Sequence, residues 1–281
     1  MKNLLTLLLC IFPIILFNGC NNTSHTNSLK VGVMAGPEAE LMKAAQQVAQ
    51  ERYGLKVNIV TFSDYSIPNR ALAEGDIDAN SFQSKPFLDA DVKAHGYKLA
   101  IAGKTFLFPL GVYSVKIKNL DQLPISGIIA IASDPTDESR ALLLLQKAGL
   151  IKLRPGVTIT ATPKDIIANP KYIKFIALDA SNLPRTLQDV SAAVINNNFA
   201  VAAGFSLKDA IYKESTDSLY TNLLVVRAGT ENDPRIKELL AAIQSPQVVA
   251  KAKEIFHGGA IPGWNQDNAE TIKPMTRNKQ K

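Results

Sequence analysis

Strand-like and helix-like stretches alternate along the chain in units of roughly 25 residues, and this alternation restricts the fold more than any other feature. The first predicted elements are, in order, a strand at 29–34, a helix at 38–52, a strand at 56–62, a short helix at 70–74, a strand at 77–81 and a helix at 88–95. Such a succession predicts an α/β fold with a parallel sheet.

Two longer β-rich stretches, 98–115 and 219–227, interrupt this order and are predicted to be crossovers between two lobes. We therefore expect lobe I to comprise 29–110 and 222–264, and lobe II to comprise 111–221. Ligands of open α/β sheets bind beyond the carboxyl ends of the strands, so the cleft between the lobes is the expected binding site.

In lobe II, the stretch 127–149 combines a short apolar run with an amphipathic run. Asp134 followed by Pro135 predicts a helix start, and Asp137 three residues further on resembles the second half of a capping box. Arg140 lies within the first two helical turns, where a carboxylate could be held. The alternative is a surface pair between Arg140 and Asp137 at i,i+3.

The remaining elements have weaker patterns. They are predicted as a β-like segment at 157–161, a helix near 163–169, a strand at 174–178, a helix at 183–188, a strand at 192–195, and two helices that begin with proline at 233–244 and 246–256. The stretch 265–281 has almost no apolar residues, which predicts a disordered tail.

The N-terminus has the pattern of an export signal. A lysine, an apolar run at 4–17 and a small residue precede Cys20, so 1–19 is predicted to be a signal peptide, because the apolar run is too short for a membrane span. Cys20 is the expected lipidated N-terminus, with a simple cleaved signal as the alternative. The other cysteine, Cys10, lies in the removed segment, which leaves no internal disulfide. Small and polar residues at 20–28 predict a flexible tether.

Composition and motifs exclude several functions. The net charge is +6, but the basic residues are scattered among acids, so a nucleic-acid partner is not expected. None of the three histidines has metal-ligand spacing, and no G-x-S-x-G motif occurs. We therefore expect no metal, no cofactor and no enzyme. The acid pair Asp76 and Asp78 leaves an exported hydrolase as a competing class, and an adhesin-like lipoprotein is a weaker third.

The loops at the predicted carboxyl ends of strands carry a coherent set of side chains. Tyr65, Phe82 and Phe87 come from lobe I, whereas Arg140 and asparagines come from lobe II and its crossover. An apolar wall that faces a wall of charge and amides suits a small zwitterion with an apolar side chain. Taken singly, the aromatics are expected to be packing residues and the run of asparagines at 196–198 a turn, and only the shared position of the aromatics at the cleft favours a ligand role. Asn222 within an apolar strand is more telling, because a buried amide needs partners.

Several long motifs identify a family. The chain resembles the NlpA-type substrate-binding lipoproteins of methionine ABC importers in VTFSDYSIPNRALAEGDIDANSFQSKPFLD (60–89), SDPTDESRALLLLQKAGLIKL (133–153), AAVINNNFA (192–200), YTNLLVV (220–226) and GGAIPGW (258–264). Their order and spacing agree over 29–264. The resemblance implies a two-lobed type II periplasmic-binding-protein fold with a ligand cleft between the lobes.

The resemblance also implies roles and partners. Tyr65, Phe82 and Phe87 correspond to aromatic positions around a methionine side chain, Arg140 to the arginine that holds the carboxylate, and Asn196 and Asn222 to asparagines that bind the backbone groups of the amino acid. The implied protein is a monomer, anchored to a membrane of the cell envelope through Cys20. It faces the periplasm or the cell exterior and delivers its ligand to an ABC permease in the inner membrane.

Two positions depart from the family pattern. The chain has Ser84 where the family usually has histidine, and Asp137 where it usually has asparagine. The smaller serine leaves room beside the aromatics, and Asp137 could either pair with Arg140 or capture a ligand ammonium. Either change could favour a larger side chain or a short peptide, so both residues are included in the expected site.

Overall fold

A computed structural model of the chain describes residues 27–216 and 219–265. Its strands, in chain order, are β1 (Ser28–Met34), β2 (Lys56–Phe62), β3 (Ala79–Ser84), β4 (Leu99–Leu107), β5 (Gly111–Tyr113), β6 (Ile128–Ala132), β7 (Lys152–Leu153), β8 (Ile166–Ala168), β9 (Lys174–Leu178), β10 (Ala192–Ile195), β11 (Tyr212–Lys213), β12 (Thr221–Arg227) and β13 (Ile261–Pro262).

The α-helices are α1 (Pro37–Tyr53), α2 (Pro68–Glu74), α3 (Lys85–His95), α4 (Pro135–Lys147), α5 (Asn197–Ala202), α6 (Pro234–Ile243) and α7 (Pro246–Ile255). Three segments are 3₁₀ helices, namely Leu120–Gln122, Pro163–Asp165 and Ala180–Gln188. Every α-helix except α5 has a proline at one of its first two positions. Proline is tolerated there because backbone N–H groups in the first turn have no partner within the helix.

The first sheet has the strand order β13-β4-β12-β3-β1-β2. Its β1, β2 and β3 are parallel, as predicted, while β12 is antiparallel to both β3 and β4. The second sheet has the order β11-β5-β10-β6-β9, with β6 parallel to β9 and β10. The chain passes between the sheets at 108–110 and returns after β11, so the fold is α/β and two-lobed.

Each sheet buries its own apolar core. Val31, Leu239 and Phe256 belong to the core that β1 shares with α1, α6 and α7. Ile129 and Leu142 belong to the second core, between β6 and the apolar face of α4. Burial of these aliphatic faces, at roughly 25 cal/mol per Å² of apolar surface, is the main force that orders each lobe.

Several predicted boundaries are wrong. β3 extends to Ser84, so Phe82 lies on a strand rather than in a loop. The predicted segment 157–161 is turn and coil, and 163–169 is one 3₁₀ turn followed by β8. The predicted helix at 183–188 is part of a longer 3₁₀ helix. Pro184 inside that helix lacks a backbone N–H, which disfavours regular α-helical bonding.

Both predicted crossovers are also narrower than expected. All of β4 belongs to the first sheet and β5 to the second, so the first connection is only 108–110. The whole of β12 lies in the first sheet. A β-rich run is typical of a sheet strand as well as of an extended connection, so composition alone could not separate the two.

The predicted signal peptide, Cys20 and most of the tether and tail lie outside the described residues. The end of the tether is an exception, since Asn27 donates to the Gly54 carbonyl over 2.7 Å and β1 begins at Ser28. Of the helices in the described ranges, none has the length and apolar character needed to cross a membrane.

Candidate functional site

A cavity lined by described residues of both lobes lies between the two sheets. Its space is about 420 Å³, including the part open to solvent. It is lined from both sides by Glu38, Tyr65, Phe82, Gln83, Ser84, Phe87, Phe108, Asp137, Arg140, Asn196, Asn197, Asn198 and Asn222. All eight residues predicted for the ligand site are among them.

Strand direction explains the contribution of the first sheet. Tyr65 follows the carboxyl end of β2, and Phe82 and Ser84 lie at the carboxyl end of β3. Phe87 is in the first turn of α3. Asn222 pairs with Ser84 across the antiparallel β3–β12 ladder, so the start of β12 reaches the same edge. Parallel strands that end at one edge thus bring these side chains together.

The three aromatic side chains form a wall, here called the aromatic wall (Tyr65, Phe82, Phe87). The Tyr65 ring lies 5.8 Å from that of Phe82 and 6.0 Å from that of Phe87, and the two phenylalanine rings are 5.6 Å apart at 77°. These tilted and edge-on distances are those at which aromatic pairs attract each other.

The opposite side is here called the polar wall (Asp137, Arg140, Asn196, Asn197, Asn198). Its residues follow the carboxyl ends of β6 and β10, on α4 and at the start of α5. All five residues are less than 9% exposed. The run of asparagines is not a turn, because it caps and begins a helix.

Arg140 is held mainly by a residue that the sequence did not point to. Its Nε lies 3.2 Å from Oε1 of Glu214, and its Nη2 lies 2.5 Å from Oε2 of the same carboxylate and 3.1 Å from the Phe108 carbonyl. The guanidinium carbon also sits 4.3 Å from the centre of the Tyr220 ring. Burial lowers the pKa of Arg140, but the charge and hydrogen bonds of Glu214 outweigh it and the net shift is upward.

Asp137 does not complete a capping box. Asp134 caps α4 as predicted, with Oδ1 2.9 Å from the Asp137 N–H, but the Asp137 carboxylate turns into the cavity. There its Oδ2 accepts from Asn196 over 2.9 Å, and its Oδ1 lies 3.9 Å from Nη1 of Arg140. Burial raises the pKa of Asp137, with Arg140 and Asn196 acting in the opposite direction.

The three asparagines each bond differently. Asn196 donates to Asp137, Asn197 donates to the Gly259 carbonyl, and Asn198 accepts from the Tyr65 hydroxyl over 3.0 Å. Oδ1 of Asn196, Oδ1 of Asn197 and Nδ2 of Asn198 are buried with no hydrogen-bond partner among the described residues. An unsatisfied buried amide atom costs roughly 1–3 kcal/mol, so these atoms call for partners that a ligand can supply.

Glu38 is a cavity-lining residue that was not predicted from the sequence. It lies in the first turn of α1, only 7% exposed, and lines the cavity. Burial raises the pKa of its carboxyl to about 8. The signal was available, since Gly36-Pro37-Glu38 follows β1 just as Asp134-Pro135 follows β6, and both strands end at the cavity.

A buried amide network supports the aromatic wall. Asn69 donates to Gln83 and to Asp91, each over 2.8 Å, while Asn80 donates to Asn69 over 2.9 Å. Gln83 also donates to Asn80 over 3.0 Å. Since Gln83 stands between Phe82 and Ser84 on β3, the network fixes this strand against α2 and α3.

The acid pair considered for hydrolysis lies elsewhere. Asp76 is exposed and outside the cavity, and Asp78 pairs with Arg227 at 3.4 Å and accepts from the Lys30 N–H. Within 27–216 and 219–265, no three histidine, cysteine or acidic side chains are grouped as metal ligands would be.

Two α/β lobes that enclose a cavity with aromatics on one side and charge and amides on the other define a substrate-binding protein of the two-lobed periplasmic type. Comparison with known protein families identifies the family within this class. The model of the NlpA lipoprotein family matches residues 29–264, and the chain belongs to this family.

Relatives agree over most of their length. The D-methionine-binding lipoprotein MetQ of Salmonella typhi is 47% identical over 250 residues, which are 88% of this chain and 92% of that protein. A nutrient-binding protein from Burkholderia cenocepacia, solved bound to methionine, is 48% identical with a TM-score of 0.82, covering 84% of this chain and all of that one (100%). A periplasmic substrate-binding protein of an ABC transporter from Coxiella burnetii is 52% identical with a TM-score of 0.82, over 83% and 99% of the two chains.

Proposed function

We propose that this protein captures methionine or a closely related amino acid and delivers it to an ABC importer. The observation that carries the proposal is the cavity between the two sheets, which three aromatic rings line on one side and a buried arginine and asparagines with unpartnered atoms line on the other. One relative is named as a D-methionine-binding lipoprotein and another was solved bound to methionine, which agrees with that chemistry.

In this proposal the ligand side chain packs on Tyr65, Phe82 and Phe87. The apolar rings gain from the burial of a thioether, and sulfur contacts with rings contribute roughly 0.3–1.5 kcal/mol. The ligand carboxylate is held by Arg140, with Asn222 and Asn196 as hydrogen-bonding partners of the backbone groups.

Glu38 and Asp137 are proposed to receive the ligand ammonium, together with Oδ1 of Asn196. Each is a buried acceptor on the cavity surface, and an ammonium supplies three N–H donors. The positive charge would favour the ionised form of Glu38, so binding is expected to release a proton near neutral pH.

Delivery requires the two lobes to open and close on the ligand. A ligand that touches both walls stabilises the closed form only by its greater affinity for that form. We infer lobes of 29–110 with 222–264, and of 111–221. The protein acts as a monomer anchored by acylated Cys20 to a membrane of the cell envelope, with an ABC permease as its partner. It is a binding protein and not an enzyme.

Ser84 is proposed to determine how large a ligand side chain fits. Ser84 is buried at the end of β3, two residues after Phe82, and a serine fills less of the cavity than an imidazole would. A longer side chain or a methionyl dipeptide is therefore the second ligand to test.

The decisive experiment is mass spectrometry of small molecules released from the purified, denatured protein. A thermal-shift panel of L-methionine, D-methionine, methionyl dipeptides and other amino acids should follow. We expect methionine to be released and to raise the melting temperature most. Stabilisation only by dipeptides would move the assignment to peptides. Turnover of a peptide or ester, lost on substitution of Asp137, would replace it with a hydrolase.

A further inference from the structure

The arginine of the polar wall is already occupied on one edge by its own chain. Glu214 takes the Nε and Nη2 edge of Arg140 side-on, at 3.2 and 2.5 Å, and the Phe108 carbonyl takes a further Nη2 hydrogen. This is the two-point geometry in which arginine and a carboxylate bind most strongly.

Glu214 is itself fixed at a junction between the lobes. It follows β11, and its N–H donates to the Leu110 carbonyl over 2.9 Å. Its Oε2 accepts from the Leu110 N–H over 3.2 Å. The Glu214 side chain is only 10% exposed, so water screens its charge poorly.

Only Nη1 of Arg140 is left without a hydrogen bond among the described residues, and the Asp137 carboxylate stands 3.9 Å from it. Among the described residues that line the cavity, Arg140 is the only one with a cationic side chain. Glu214 therefore cancels the charge of Arg140, and Asp137 adds a negative charge when it is ionised. Whether Asp137 is protonated or not, this group of three has no net positive charge.

Building on the proposed function, we infer that Glu214 is a specificity-determining residue that makes the ligand ammonium obligatory. A carboxylate alone meets an arginine that is already neutralised, whereas a zwitterion also supplies a cation to Asp137 and Glu38. The site is thus built to reject organic anions of the same shape, such as 2-hydroxy acids, and to accept amino acids.

Three nearly isosteric probes test this. L-methionine is the zwitterion, its 2-hydroxy analogue is the anion and L-methioninamide is the cation. Their dissociation constants are measured by calorimetry on the unaltered protein and on Glu214→Gln, which keeps the size of the side chain and removes its charge. Glu254→Gln is the matched control, since Glu254 forms an exposed pair with Lys251.

In the unaltered protein we expect the hydroxy acid to bind at least 100-fold more weakly than methionine, and no more tightly than methioninamide. In Glu214→Gln, the affinity of the hydroxy acid relative to methioninamide should rise at least tenfold. Glu254→Gln should leave this ratio unchanged. A residue that served only folding would weaken all three ligands by the same factor.

The outcomes separate the two proposals. If methionine does not bind the unaltered protein, the proposed function fails and this inference fails with it. If methionine binds but Glu214→Gln leaves the ratio unchanged or lowers it, the inference alone is overturned. Should Glu214→Gln not fold, the unaltered protein still decides, because tighter binding of the hydroxy acid than of methioninamide would contradict a neutralised arginine.

Discussion

The two walls of the cavity satisfy their side chains in opposite ways. The rings of the aromatic wall satisfy one another, since Tyr65, Phe82 and Phe87 pack together at 5.6–6.0 Å and rest on a closed amide network. The polar wall is incomplete, because three buried asparagine atoms find no partner among the described residues. The aromatic wall thus determines the shape of the cavity, whereas the polar wall has buried atoms that need hydrogen-bond partners from a ligand.

This difference determines how each wall responds to substitution. Changes in the aromatic wall should alter which side chain is preferred, because dispersion and burial depend on shape. Changes in the polar wall should alter whether any amino acid binds, because buried charges and amides depend on specific partners.

Arg140→Ala should weaken methionine binding by about 2–4 kcal/mol, because the ligand carboxylate would be buried without its partner. Isothermal titration calorimetry measures the change. Arg154→Ala is the matched control, since the Arg154 side chain is mostly exposed and pairs with Asp165 outside the cavity.

Stability must be separated from binding in this test. Arg140→Ala also leaves Glu214 buried without its cation, which costs on the order of 3–5 kcal/mol. The double variant Arg140→Met with Glu214→Gln removes both charges and should recover much of the stability but not the affinity. If the double variant binds methionine as tightly as the unaltered protein does, Arg140 does not anchor the ligand carboxylate.

Glu38 is the acidic residue that the first lobe contributes to the cavity among the described residues. Its pKa is about 8 in the folded protein against 4.5 for an ordinary glutamate. A raised pKa stabilises the fold below pH 4.5, and this contribution is lost as the pH rises towards 8. Relative to Glu38→Gln, the ligand-free protein should therefore lose on the order of 2–4 kcal/mol between pH 5 and pH 8.

Urea unfolding of both proteins at the two pH values measures this difference. Burial also raises the pKa of Asp134, to about 7, with the same sign. Asp134 is present in both proteins, so the comparison isolates Glu38. Parallel pH profiles for the two proteins would show that the Glu38 carboxyl titrates normally.

Local signals explain which parts of the molecule could be predicted. The Asp134 side chain caps α4 three residues away, and Gly54 and Gly96 end α1 and α3 with positive φ. Such signals act over a few residues, so strand and helix order, and hence the α/β class, follow from the sequence. The carboxyl-end rule then placed the expected site residues in one cavity.

Long-range partners could not be predicted in this way. Glu214 bonds to Arg140 across 74 positions in the chain, and Tyr65 bonds to Asn198 across 133. Glu214 lies in a stretch without helical or strand periodicity, so its position in the fold could not be predicted from a sequence pattern. Only the antiparallel pairing of β5 with β11 brings it beside the first interlobe connection.

Phe82→Leu tests whether the aromatic wall selects the ligand side chain by shape. The variant stays apolar but loses the ring contacts to Tyr65 and Phe87, which contribute roughly 0.5–1.5 kcal/mol each. We expect methionine to bind about 1–2 kcal/mol more weakly and alanine to be nearly unaffected. Calorimetry with both amino acids gives the ratio. Phe205→Leu, on a ring that packs against Tyr113 outside the cavity, is the control, and an equal loss for both ligands would contradict a side-chain pocket.

Tyr65→Phe tests the one described hydrogen bond that joins the two walls directly. The change removes the 3.0 Å bond to Asn198 and keeps the ring contact of 5.2 Å with Phe199. Burial keeps the pKa of Tyr65 well above 10, so the hydroxyl remains a donor across the usable pH range. Losing it should cost the closed form about 1 kcal/mol and weaken methionine binding about fivefold. Without ligand, distances between spin labels on the two lobes should also shift towards those of an open form.

Tyr172→Phe, on an exposed ring, controls for loss of a hydroxyl. If Tyr65→Phe changes neither the affinity for methionine nor the opening of the lobes, the bond between Tyr65 and Asn198 does not contribute to closure. The two walls are then held together by the ligand and by the interlobe connections alone.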